Sequence, residues 1–105
     1  MKFTTLIPTT LNDGTAVKPS TLARLFRGLW WPFGGMTDEG FVTGHWVDED
    51  GTEFMDRCVK VSIECDRSRL HEAVRAVRRV GLKLGQRAMY FEVSGYDGAQ
   101  ILRIG

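Results

Sequence analysis

Apolar and polar side chains alternate most regularly from about Glu53 to Cys65, where Val59, Val61, Ile63 and Cys65 are interleaved with Lys60, Ser62 and Glu64. A period of two is the signature of a strand with one covered face. Phe3 to Ile7 is a shorter, Thr-rich strand that stops at Pro8, and Ala88 to Val93 is another. Helical spacing takes over at Leu22, Leu25, Phe26 and Leu29, with Pro19 in the first turn and Ser20 or Thr21 as caps. Pro32 and the Gly34-Gly35 pair end that helix near Trp30. A second helix begins at Asp66 or Ser68 and carries Leu70, Ala73, Val74, Val77, Gly81 and Leu84 on one face, with Gly81 or Gly85 as its end. Phe41 to Asp48 favours a strand, and Asp50-Gly51 after it signals a hairpin. Gly95 to Gly98 turns the chain into a short last strand from Gln100 to Ile104.

The order strand, helix, strand, strand, helix, strand, with one strand appended, predicts an α+β domain of ferredoxin-like, split βαβ type. Two helices then cover one face of an antiparallel sheet and leave the other open. With 105 residues, the chain is expected to fold as a single domain, 1–105. The first residues hold too few apolar positions for a signal peptide, and no run is long enough to span a bilayer, so a cytoplasmic protein without membrane contact is expected. Cys58 and Cys65, seven residues apart in one strand, lie too far apart for a disulfide and face opposite ways. No ligand spacing for zinc, phosphate loop or dinucleotide motif is present, and His71 has no second ligand at helical spacing, so no metal or cofactor is implied.

Two stretches, Gly44-His45-Trp46-Val47-Asp48-Glu49-Asp50-Gly51 and Gly85-Gln86-Arg87-Ala88, resemble a bacterial family of short ferredoxin-like domains of unknown function. The resemblance spans roughly Leu22 to Val93. It implies the fold and no catalytic residue.

Charge changes the picture only locally. The formal net charge is +1, yet Asp38 to Asp56 holds seven acids and no base, while Asp66 to Arg87 is rich in arginine. The hairpin of one copy and the second helix of another therefore have signs that attract. Arg75, Arg78 and Arg79 share one helical face outside the apolar stripe and are candidates for binding a nucleic acid or an acidic partner, although a solvated face is the commoner use of such residues.

A two-residue loop at Asp50-Gly51 would set His45 across from Asp56 and Thr43 across from Cys58. His45, Asp56 and Cys58 would then share a face as a weak catalytic cluster, a base beside a thiol. A cross-strand pair beside a small buried thiol is the plainer reading. The same face would carry Phe41, Val47 and Phe54, large residues that need cover, and a homodimer through the open sheet face is the expected means. The run Trp30-Trp31-Pro32-Phe33-Gly34-Gly35-Met36 could stack on a ligand or partner, with Trp30 closing the core as the favoured alternative. A non-catalytic binding or oligomerisation module is the functional expectation, with nucleic-acid binding and a small enzyme as the other classes.

Overall fold

The computed structural model describes residues 1–94 and 99–104. The elements are β1 (Lys2–Pro8), α1 (Pro19–Trp30), β2 (Thr37–Val47), β3 (Glu53–Glu64), α2 (Leu70–Lys83), β4 (Ala88–Val93) and β5 (Ala99–Arg103), with 3-10 turns at Trp31–Phe33 and Arg67–Arg69. They build one antiparallel sheet in the order β2-β3-β1-β4-β5 with the expected α+β, ferredoxin-like pattern. The Gly95 to Gly98 turn lies outside the described residues.

The alternation read from the sequence decides which face meets the helices. Val59, Val61 and Ile63 of β3 pair with Ile7, Thr5 and Phe3 of β1, and Phe91 and Val93 of β4 continue the row. These side chains are buried with Leu25 and Leu29 of α1 and Ala73, Ala76, Val77 and Val80 of α2 in one core. Buried Thr5 satisfies its hydroxyl by donating to the Tyr90 carbonyl at 2.7 Å. Phe33 closes the core edgewise on Phe3 with ring centroids 5.5 Å apart.

Two local features differ from the expectation, and a third settles an alternative it left open. β2 starts at Thr37 rather than Phe41, because a bulge between Asp38 and Phe41 lets the polar Thr-Asp-Glu-Gly run pair with β3. Gly40 takes a positive φ of 94° there, and its N–H donates to the Asp38 side chain at 2.8 Å. The second helix passes through Gly81 and ends at Gly85, φ 63°. Gly81 is a close-packing position rather than a stop: a Cβ on it would lie 2.7 Å from Met89 Cγ and 3.0 Å from Ile104 Cδ1. Last, the hairpin loop has three residues, Glu49 to Gly51. Asp48 N–H donates to the Thr52 carbonyl at 2.9 Å, Gly51 N–H returns to the Asp48 carbonyl at 3.0 Å, and Gly51 has φ 82°. A type I turn closed by a left-handed glycine fits this pattern.

Candidate functional site: the cleft on the rolled sheet face

That three-residue loop moves the hairpin register by one position. His45 pairs with Met55, Gly44 with Asp56, and Trp46 with Phe54. Directly opposed residues share a face, so Trp46, Phe54, Asp56 and Cys58 point to the uncovered side of the sheet, while Phe41, Thr43, His45, Val47, Met55 and Arg57 point to the helix side. The expected cluster of His45, Asp56 and Cys58 is therefore not assembled, since a one-residue slip exchanges faces. Phe41 and Val47 likewise part from Phe54.

The uncovered face is not flat. β2 and β5 are the two edges of the sheet, and four strand spacings of ~4.8 Å would hold them roughly 19 Å apart in a flat sheet. Instead Arg103 of β5 reaches Asp48 and Glu49 at the end of β2, each at 3.5 Å, and Arg87 beside β4 pairs with the Asp48 carboxylate at 2.5 Å. The sheet rolls toward its open side, and this ionic seam joins the hairpin tip to the far edge. Arg87 also lies over the Phe54 ring, 5.4 Å from its centroid. The guanidinium of Arg87 holds the Asp48 carboxyl below the usual carboxylate range. Part of the acidic surplus noted in the hairpin is thus paired within the chain.

Rolling encloses a cleft of about 350 Å³, lined by side chains from all five strands. Leu6, Pro8, Cys58, Ala88 and Tyr90 supply an apolar floor, and Trp46, Asp56, Gln86 and Arg103 supply walls with polar ends. Trp46 stacks on Phe54, centroids 4.4 Å apart and 15° from parallel, and its indole N–H donates to Asp56 Oδ2 at 2.7 Å. Gly44, opposite Asp56, borders open space in the cleft: a Cβ there would meet nothing within 4 Å. Gln86 is buried and its amide donates to the Leu84 carbonyl at 3.2 Å. A shallower depression at the hairpin, bordered by His45, Trp46, Val47, Glu53, Phe54 and Met55, draws only on its own two strands.

Cys58 is 4% exposed at the cleft floor. Burial, with Asp56 nearby as a second cause, pushes its thiol up to about 11. It is a packed thiol rather than an activated nucleophile, and no base stands beside it in the sense the sequence suggested.

The remaining candidates are scattered. Trp30 is half-buried against the core, whereas Trp31 is 60% exposed with the Arg27 guanidinium 4.2 Å from its ring centre. Phe33 packs inward and is covered by Arg69 at 4.6 Å. Arg75, Arg78 and Arg79 are exposed on α2, on the opposite side of the sheet from the cleft. Trp46, Gln86 and Arg103 were not among the site residues read from the sequence. Trp46 would have followed from counting the hairpin loop as three residues; Gln86 and Arg103 reach the cleft through tertiary contacts that leave no local pattern.

The class that this architecture defines is a ferredoxin-like α+β domain with an appended fifth strand. Among solved structures it is similar to a phage SAM lyase in complex with S-methyl-5'-thioadenosine, with a TM-score of 0.67 and 8% identity over 97% of this chain and 88% of that one. At that identity the likeness is one of fold. No protein-family model matches the chain. No curated protein matches it either. No described helix is long and apolar enough to cross a membrane.

Proposed function

We propose that this protein is a small-ligand-binding domain whose ligand seats in the cleft of the rolled sheet face, and that nucleoside thioethers are the ligand class to which the cleft is suited. The observation that carries the reading is the cleft itself: about 350 Å³, apolar at its floor, with an indole and a carboxylate already hydrogen-bonded in its wall. Ligand sites are commonly concave, mostly apolar and provided with a few fixed polar groups. A flat heterocycle stacks on Trp46 or Tyr90, and donors on the sugar or base meet Asp56. The ligand named for the similar phage SAM lyase, S-methyl-5'-thioadenosine, has this combination of heterocycle, hydroxyls and thioether.

A second copy, expected from the sequence to cover this face, is not required to bury it. Rolling already buries Cys58 and Pro8. Burial raises the Cys58 thiol to about 11, so it offers no activated nucleophile to a ligand seated in the cleft.

Isothermal titration with S-methyl-5'-thioadenosine and with S-adenosylmethionine tests the reading. A dissociation constant in the range of about 1–100 µM is expected, with Asp56→Asn weakening it roughly tenfold through loss of one charge-assisted hydrogen bond. No heat and no change in melting temperature at about 1 mM of either compound would overturn it.

A further inference from the structure

The hairpin formed by β2 and β3 runs on as an arm past Pro8 and Cys58, where the pairing of β3 with β1 ends, and the side of it turned away from the cleft is apolar. Phe41, Met55 and Val47 are 69%, 68% and 61% exposed there, three of the five large hydrophobic side chains most open to water among the described residues. Along β3 this side reads Glu53, Met55, Arg57, a negative, a neutral and a positive position in turn. Such an order is antisymmetric about its centre.

We infer that this outer face of the arm docks against the same face of a second copy of the chain, about a two-fold axis that passes at Met55 and His45. A closed dimer uses one patch on both partners, so the patch must complement itself. An axis across the strands lays β3 of one copy antiparallel over β3 of the other. Met55 then meets its own symmetry mate, and Glu53 of each copy meets Arg57 of the other, giving two ion pairs. An axis along the strands would instead set β3 over β2, with Glu53 against Val47 and Arg57 against Thr43, and would pair no charges. The charge order thus selects both the occupant and the orientation. Phe41, with Arg57 standing 6.0 Å from its ring centre, is covered toward the partner's hairpin tip.

The arm from 41 to 47 is roughly 23 Å long at ~3.3 Å per residue and two strands wide, which places the contact at the small end of specific interfaces, below about 1,200 Å² in total. The dimer is therefore reversible. It uses the side of the arm opposite to the cleft, so it stands independently of the ligand proposed above.

Sedimentation equilibrium of the full chain from about 1 µM to about 1 mM tests the inference. Wild type is expected to dimerise with a dissociation constant of roughly 10–100 µM. Glu53→Arg alone sets like charges together and weakens association at least tenfold. The combined exchange Glu53→Arg with Arg57→Glu restores the antisymmetric order and recovers most of it. All these side chains are exposed, and unchanged circular dichroism spectra and thermal melts show that the fold is intact. Wild type remaining monomeric at about 1 mM would overturn the inference, as would association that none of the variants alters, or an exchange variant no better than Glu53→Arg.

Discussion

Cys58 provides the sharpest test of how the cleft floor is built. Its thiol is pushed up from an ordinary value of 9.0 to about 11, first by burial and then by Asp56. Two units lower the thiolate fraction near neutral pH about 100-fold. The remaining thiolate is intrinsically more nucleophilic, and a Brønsted slope of about 0.4–0.5 returns roughly 6- to 10-fold of the loss. Alkylation of Cys58 at about pH 7.5 is therefore expected to run at least tenfold slower than for the same cysteine in urea-unfolded protein, before any steric shielding is counted. Iodoacetamide labelling followed by peptide mass spectrometry separates Cys58 from Cys65, which is less buried and is raised to a smaller extent. The rate should keep rising with pH well past 9.0, toward about 11. The stability consequence has a definite sign. The unfolded thiol ionises near 9.0 while the folded one stays protonated to about 11, so stability is lost as pH rises through that interval. Labelling of Cys58 faster than in the unfolded chain, or a rate midpoint below 9.0, would refute the reasoning and bring back an activated thiol.

Gly44→Leu fills space that is empty around Gly44, so it should abolish binding of S-methyl-5'-thioadenosine by titration while leaving the melting temperature nearly unchanged. Gly81→Ala gains about 1 kcal/mol of helix propensity but loses about 1–3 kcal/mol to crowding against Met89 and Ile104; a net loss of about 1 kcal/mol, or roughly 4–8 °C, is expected in thermal melts. Leu29→Ala removes a core side chain that is 1% exposed and should cost about 3–5 kcal/mol in denaturant unfolding. Asp48, whose folded value is depressed, contributes stability above its ordinary value of 3.8 that is lost as pH falls through the folded value. Circular dichroism melts should therefore show a smaller acid-induced loss in Asp48→Asn than in wild type, and a smaller response to added salt.

Elements with a strong period were legible in the sequence. The alternation from Val59 to Ile63 and the spacing from Leu22 to Leu29 each report burial against a single partner layer, and the structure places both where the pattern requires. The sequence marks β2 only from Phe41 because Thr37 to Gly40 has no alternation; its bulge and the Asp38 side chain hold those residues in the sheet. Gly81 was ambiguous for a related reason. Helix-ending and close-packed glycines look alike until Met89 and Ile104 are brought beside them. The candidate site fared worse than the fold because it depends on register and on rolling. One residue in the Glu49 to Gly51 loop decided whether His45 or Trp46 stands beside Asp56. The seam of Asp48 with Arg87 and Arg103 joins positions far apart in the chain, where the sequence showed only separate acidic and basic stretches.

The seam has one further consequence. Where a barrel closes by backbone pairing, its bore is fixed by strand number and stagger. Here the last gap is bridged by side chains at the tip of a hairpin, and the tip contributes nothing to the core. Lengthening or shortening the Glu49 to Gly51 loop would move Asp48 and Glu49 relative to Arg87 and Arg103, and so reset the width of the opening. The core that α1 and α2 form with the helix side of the sheet is thus separate from the contacts that set the width of the cleft, which lie at the hairpin tip.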